Sequence, residues 1–326
     1  MRRREFITIL GVAAVASPIR VFAQAGNGQP LIACLSSGIL GKAPVIAAFQ
    51  QGMRELGYVE GRNIEIIYRF AENHPERLAA LVDEIIRLKP AVIMAAAVVD
   101  TVAVRKATAT IPIVTAALAD PVNLGLVASV AHPAGNVTGI MPYVDGLPAK
   151  QMELARQVVP GANKVGILGN LDDPKAPPQQ RELVEAARSL NIRIVAPEVH
   201  TPDDIDVAVA TLASEHVDVV VALQTVMVIN ERDRVAALMA ASRLPTVYGY
   251  REHVDAGGLI SYGVDLAWCG RRAATYVQKI LTGTPPGDLP VEFPTRLELI
   301  INLKTAKALG IAFTPALLAR ADEVIE

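Results

Sequence analysis

The sequence predicts an α/β chain of two doubly wound parallel-sheet lobes joined by a hinge. Three observations carry that expectation. The 326 residues are 52% hydrophobic but only 4% aromatic, so the apolar mass is Ala, Val, Ile and Leu, the usual filling of a parallel sheet covered by helices. Short apolar runs alternate with amphipathic stretches in units of ~30 residues or more, as a strand-helix-strand crossover requires. The rhythm then restarts near residue 146, and a chain of about 300 residues after any leader is long enough for two cores.

The elements follow in order. Residues 31–36 read as a strand. Residues 43–56 read as a helix with Val45, Ala48, Phe49, Met53 and Leu56 on one face, ended by Gly57. A strand at 63–69 precedes a helix at 75–88 that opens on Pro75. A continuous apolar strand (91–96), a helix (101–108), a strand (112–115) and a helix (124–131) complete a parallel βαβαβαβ lobe with right-handed crossovers. The second lobe reads as helix 148–158, strand 164–168, helix 178–190, strand 192–196, helix 202–215, strand 217–223, helix 230–241 and strands at 246–248 and 259–262. A long helix (266–281), a Pro/Gly-rich connector (285–294), a strand (296–302) and two short helices finish the chain. The expected lobes are 30–142 plus about 265–284, and 143–264 plus about 290–326, joined near Gly139 and Gly146.

The first 23 residues have the three parts of an export signal. Arg2, Arg3 and Arg4 form a positive region, residues 6–16 an apolar run of 11 residues, and Val21-Phe22-Ala23 a small-residue cleavage site before Gln24. The run is shorter than the ~20 residues a bilayer span needs. Arg3-Arg4-Glu5-Phe6-Ile7 fits the twin-arginine pattern, with an ordinary signal as the alternative. A periplasmic location is expected. The formal charge is −2, and removing the Arg-rich leader makes the remainder more acidic, so there is no electrostatic footprint for nucleic acid. Cys34 and Cys269 read as two buried thiols, with a disulfide as the alternative that the expected compartment permits. The histidine and cysteine spacings hold no metal motif. There is no Gly-x-Ser-x-Gly elbow, phosphate loop or dinucleotide fingerprint, and no cofactor is expected.

In a doubly wound sheet, ligands bind beyond the carboxyl ends of the strands. The candidate residues are therefore those that follow each strand. Ser36-Ser37-Gly38 offers two hydroxyls to a carboxylate or amide oxygen, or else forms an ordinary turn. Asp100 reads as a helix cap, with backbone amides from Ala97 onward open to a ligand. Asp120 before Pro121 suits a cap, a turn or a ligand ammonium. In the second lobe Asn170 opens a long polar loop, and Gln224 offers a bidentate amide at a strand end. Tyr250 could stack on a ligand, Arg251 could pair a carboxylate, and Ser261 closes the last strand.

Three stretches resemble a known family. They are Phe49-Gln50-Gln51-Gly52-Met53-Arg54-Glu55-Leu56-Gly57-Tyr58-Val59-Glu60-Gly61-Arg62-Asn63-Ile64; Asp120-Pro121-Val122-Asn123-Leu124-Gly125-Leu126-Val127 with Gly135-Asn136-Val137-Thr138-Gly139; and Tyr248-Gly249-Tyr250-Arg251-Glu252 with Gly257-Gly258-Leu259-Ile260-Ser261-Tyr262-Gly263. As a set they resemble the ABC-transporter substrate-binding proteins related to the tryptophan/tyrosine-binding group. The resemblance covers nearly the whole chain after the leader. It implies a type I periplasmic-binding-protein fold, a small-molecule ligand captured by hinge closure, a membrane permease as partner and a monomeric receptor without enzymatic activity. Ser36-Ser37, Asp120-Pro121 and Ser261-Tyr262-Gly263 match the family's pocket and hinge positions. Ala96-Ala97-Val98 and Gln224-Thr225 replace the Gly-Thr (or Gly-Ser) and Asp-Pro turns of many relatives. Those departures leave an amino acid, an aromatic acid or another small carboxylate as ligand. An exported enzyme, or a sensing module for a membrane receptor, would share this outline.

Overall fold

The computed structural model describes residues 28–142 and 144–326; the export-signal segment lies outside them. The first sheet holds β1 (Leu31–Ser36), β2 (Glu65–Phe70), β3 (Val92–Ala95), β4 (Ile113–Thr115) and β5 (Val137–Gly139), in the order β2-β1-β3-β4-β5. Every neighbour in it is parallel. Helices α1 (Pro44–Glu55), α2 (Leu78–Arg87) and α3 (Val98–Ala107) connect the strands. The second lobe runs α4 (Leu147–Val158), β6 (Lys164–Leu168), α5 (Ala176–Ser189), β7 (Arg193–Val195), α6 (Asp204–Ser214), β8 (Val219–Ala222), α7 (Val226–Asn230), α8 (Arg232–Ala241), β9 (Thr246–Tyr248), α9 (Arg251–Asp255) and β10 (Ile260–Val264).

Strand interiors are continuous apolar runs because both faces are covered. Ile32, Ala33, Cys34 and Leu35 of β1 are buried, as are Val219 to Ala222 of β8. After β10 the chain returns to the first lobe as α10 (Leu266–Leu281), whose buried Leu266, Cys269, Gly270, Ala273, Ala274 and Val277 recur at helical spacing. Asp265 caps it, its Oδ1 accepting the Ala267 N–H at 2.7 Å. Helix α10 packs so closely on α1 that a Cβ on Gly270 would lie 2.4 Å from the Val45 carbonyl oxygen. The chain then rejoins the second sheet through β11 (Leu297–Asn302), followed by α11 (Leu303–Leu309), α12 (Pro315–Leu318) and β12 (Glu323–Ile325). The second sheet has the order β12-β11-β10-β9-β8-β6-β7.

Several elements differ from the sequence reading. Residues 124–131 form turns, not a helix. Gly125 takes φ +65°, and the Pro121 carbonyl accepts from both Leu126 and Val127 N–H, at 2.8 and 3.2 Å. The missing strand of the lobe is β5, which the sequence reading had merged into the joint. Helix α3 begins three residues earlier than expected, so Asp100 is not the N-cap. It lies inside the first turn, where its Oδ2 accepts the Ala97 N–H at 3.0 Å. The expected helix at 230–241 is two helices broken at Glu231, and α9 and β12 were not anticipated. The second sheet is not wholly parallel, because β11 runs antiparallel to β10.

The strand orders position the site. In the first sheet β1 connects outward to β2 while β3 continues the other way to β4. In the second, β6 connects to β7 while β8 continues to β9. Each lobe therefore opens its crevice at one such reversal. The loops that flank it are those after β1 and β3 on one side, and after β6 and β8 on the other.

Candidate functional site: the cleft between the lobes

The loop after β6 is held by one buried carboxylate. Asp173 Oδ1 accepts the Lys175 N–H at 3.0 Å, and its Oδ2 accepts the Val226 N–H at 2.9 Å, tying the loop to the start of α7. This lock turns Lys175 inward. The lysine is 4% exposed, its Nζ donating to the Tyr250 hydroxyl at 3.4 Å and lying 5.9 Å from the ring centroid. Among the described residues no carboxylate oxygen comes within 4.0 Å of Nζ. Burial pulls the ammonium down, but Tyr250 and Asp173 outweigh it and the net direction is upward, so the side chain stays charged.

Around Lys175 and Tyr250 the two lobes form a hollow walled by Ser36, Ala96, Ala97, Ala117, Val226, Ile229, Asn230 and Leu266 among others. That mostly apolar wall with a few polar groups suits a small organic molecule. A second hollow adjoins it, sharing Val226 and lined also by Ser37, Asn73, Asn170, Asp172, Asp173 and His200. Behind Ser37 sits Asp100, fully buried, its carboxyl pushed up to about 7, chiefly by burial, with the Ser37 hydroxyl and then the Ala97 amide opposing. The Ser37 hydroxyl faces this carboxyl, yet neither Ser37 Oγ nor Asp100 Oδ1 makes a hydrogen bond of standard geometry. At the rim, Asp172 Oδ2 lies 2.8 Å from His200 Nδ1, and this hydrogen bond raises the histidine above its ordinary value.

Residues 42–325 match the family model described as ABC transporter substrate binding protein. The chain belongs to that family. A curated relative is the tyrosine-binding protein of Clostridioides difficile, 28% identical over 263 residues, covering 81% of this chain and 75% of that protein. Among solved structures, a conserved domain protein of Vibrio cholerae is 27% identical with a TM-score of 0.85, covering 91% of this substrate-binding protein and all of that chain. A Streptococcus pneumonia domain in complex with L-Trp is 23% identical with a TM-score of 0.84 over the same shares, and it adds to the fold assignment. The fold is thus that of the type I periplasmic-binding proteins. Membership implies a small-molecule ligand, a permease partner and work outside the cytoplasm. No helix among the described residues is long and apolar enough to cross a membrane.

The cleft of this substrate-binding protein brings some sequence candidates together and leaves others apart. Ser36, Ala97 and Tyr250 line the first hollow, and Ser37 and Asn170 line the second. Two of these are partly engaged: Ser36 Oγ accepts the Gly38 N–H at 3.1 Å, and Asn170 Oδ1 accepts the Asp172 N–H at 2.8 Å. Asp120 is not in either hollow. It sits in a turn at φ +44°, its Oδ1 accepting from Asn123 at 2.8 Å, beside a separate surface depression.

Gln224 also lines neither hollow. It braces the second lobe, with Nε2 donating to the Gly249 carbonyl at 3.0 Å and its N–H donating to Gln179 Oε1 at 2.8 Å. Ser261 lies within β10 rather than after it, because the strand runs on to Val264; the residue that reaches the cleft from this strand end is Leu266. Arg251 pairs Glu323 at 2.9 Å and Asp255 at 3.4 Å, away from the cleft.

Sequence reasoning missed Lys175, Asp173 and Asn230. A lysine seven residues past the end of a strand, in a polar loop, reads as solvated, and only the Asp173 lock buries it. The usable signal was Asp172-Asp173-Pro174-Lys175 itself, a charged loop at the strand end next to the sheet's reversal.

Proposed function

We propose that this protein is an exported receptor that captures a small carboxylate with an apolar body between its lobes and delivers it to an ABC permease. The observation that carries the reading is Lys175. A buried ammonium facing a cavity, with a phenol as its direct partner and Asp173 acting only at a distance, lacks, among the described residues, the contacting carboxylate that burial favours. A ligand carboxylate supplies it. Tyr250 orients the ammonium and offers ring area, and Ala96, Ala97, Ala117, Val226, Ile229 and Leu266 suit an aliphatic or aromatic body. The relatives named for tyrosine and L-Trp support aromatic amino acids and aromatic acids as first candidates. Ligand binding would stabilise the closed arrangement of the lobes by differential affinity. The Arg2-Arg3-Arg4 leader supports export to the periplasm with a mature start at Gln24, which mass spectrometry of the periplasmic fraction reads directly.

A thermal-shift screen of amino acids, aromatic acids and dicarboxylates tests the reading. A ligand at 100 times its Kd adds about 2.7 kcal/mol of stability. Lys175→Met should weaken its binding roughly 10- to 150-fold, since hydrogen bonds to charged groups contribute ~1.5–3 kcal/mol. The ligand should be recovered unchanged after long incubation, as capture without turnover requires. A hit that binds Lys175→Met as tightly as the parent would overturn the assignment.

A further inference from the structure

The hollow that holds Lys175 is electrostatically one-sided. Its polar lining residues are Ser36, Lys175, Asn230 and Tyr250, and the others are Ala, Val, Ile, Leu and Pro. Among the described residues that line it, Lys175 is the one charged group and none is an acid. Two helices add to the same sign. The N-caps of α1 and α3, Ala43 and Ala97, both line this hollow, and a helix N-terminus is the positive end of the backbone dipole. The acceptors on the polar residues are neutral and already engaged. Ser36 Oγ accepts the Gly38 N–H at 3.1 Å, the Tyr250 hydroxyl accepts from Lys175 at 3.4 Å, and the Asn230 amide is turned to Asn73. The neighbouring acids lie outside the hollow and have partners of their own. Asp173 spends one oxygen on the Lys175 N–H and the other on the Val226 N–H. Asp100, fully buried, accepts the Ala97 N–H and faces the Ser37 hydroxyl. Asp172 pairs with His200 at the rim.

A carboxylate and an ammonium make opposite demands on such a place. The carboxylate gives Lys175 a contacting counter-charge. An ammonium on the adjacent carbon is carried into the same hollow by its covalent bond. There it loses water, lies beside Lys175 and the two helix ends, and meets no acid among the lining residues. Like charges in a poorly solvated site repel more strongly than at the surface, and a buried charge without a partner is unfavourable. We infer that the ligand bears its carboxylate without an ammonium on the adjacent carbon: the receptor selects a plain, 2-oxo or 2-hydroxy acid with an aliphatic or aromatic body over the corresponding α-amino acid. The inference rests on the carboxylate reading of Lys175 and deepens it. A hydrogen or an uncharged oxygen on that carbon meets no such repulsion. Discrimination therefore comes from an unpaired charge set against the competitor, which a mostly apolar wall of fixed shape could not supply between molecules so alike.

Calorimetry with pairs that differ only in the ammonium tests this. The probes are 3-phenylpropanoate against L-phenylalanine and 4-methylpentanoate against L-leucine, with 3-phenylpropanamide as the uncharged control. Each is titrated into the parent protein and into Lys175→Met. In the parent each acid should bind at least about tenfold more tightly than its amino acid, and this comparison decides the inference without any variant. In Lys175→Met acid binding should weaken and the gap within each pair should narrow to about threefold or less, because the repelling ammonium is gone. An amino acid that binds the parent as tightly as its acid, or a gap undiminished in Lys175→Met, would overturn the inference. If 3-phenylpropanamide still binds far more weakly than 3-phenylpropanoate, and Lys175→Met still weakens the acids, the carboxylate reading survives that failure. If the amide binds the parent as tightly as the acid, or if no probe binds, both readings fall.

Discussion

Asn230 of the second lobe donates across the cleft to Asn73 of the first, Nδ2 to Oδ1 at 2.9 Å. The same Asn73 donates back to Glu231 at 3.3 Å, and the Arg232 guanidinium donates to the Lys42 carbonyl at 3.0 Å. All three second-lobe partners sit at the break between α7 and α8, so the one-residue interruption there presents the contact surface. Lobe-to-lobe contact on the cleft side thus combines these polar groups with apolar packing of Ile229 and Tyr250 against the first-lobe core.

Gly38 marks how closely they meet. A Cβ there would fall 2.8 Å from Asn230 Nδ2 and 2.9 Å from its Oδ1, and Asn230 is held by Asn73. Gly38→Ala should therefore hinder closure while sparing each lobe. Overpacking costs ~1–3 kcal/mol, so ligand affinity should fall roughly 5- to 150-fold with the unliganded Tm within a degree or two of the parent. Calorimetry and a ligand-free melt on the same sample check this; unchanged affinity would show that bound lobes do not approach so closely.

Gln224 separates stability from binding. Its place after β8 suggests a ligand contact, but its amide is spent on Gly249. Gln224→Ala should cost about 1–2 kcal/mol of unfolding stability through the lost buried hydrogen bond, seen as a lower urea midpoint. Parent-like stability with weakened binding would return this residue to the cleft.

Acid-base linkage gives a pH profile. Burial pushes Asp100 from 3.8 up to about 7, and Glu252 from 4.5 up to about 7. Between those values the folded chain holds protons that the unfolded chain has released. Their contribution to stability therefore falls as pH rises toward 7, and the loss is complete above it. Burial pulls His253 from 6.5 down to about 4; there the unfolded chain holds the extra proton, so its contribution rises with pH over that window. Two acids outweigh one histidine, and unliganded stability should decline from about pH 4.5 to 7. Asp100→Asn should gain on the parent by up to ~1.4 kcal/mol per pH unit in that range. Urea unfolding at pH 4.5, 6 and 7.5 reads the difference, and parallel profiles for the two proteins count against a buried Asp100 that takes up a proton.

The thiols give a simpler check. Cys34 and Cys269 are free, buried in one first-lobe core, and both pushed upward by burial. Neither should react with a maleimide in the native protein, and both should react in urea. Rapid native labelling of either would contradict this packing.

The lobes were legible in the sequence because burial on two faces leaves a mark that needs no tertiary information. The runs at Leu31–Ser36 and Val219–Ala222 can only be covered strands, and the spacing of Leu266, Cys269, Ala273 and Val277 can only be a helix with one buried face. Strand-end placement also led to Ser36, Ser37, Ala97, Asn170 and Tyr250, since a doubly wound sheet puts its crevice there. What failed were positions where local chemistry had two outlets. Residues 124–131 are apolar enough for a helix, but Gly125 and the Pro121 carbonyl turn them into loops. Ser261 sat at a strand end only until β10 extended two residues further. Gln224 and Lys175 changed roles for one reason: whether a polar side chain is free or spent depends on which atoms lie opposite it across space. The sequence by itself determined most of the elements, the two-lobed order and the faces that had to be buried, all of which follow from periodicity. Only the tertiary structure decided that Asp173 locks a loop, that the lock buries a lysine against Tyr250, and that Asn230 of one lobe meets Asn73 of the other. Those outcomes depend on distances between residues tens of positions apart.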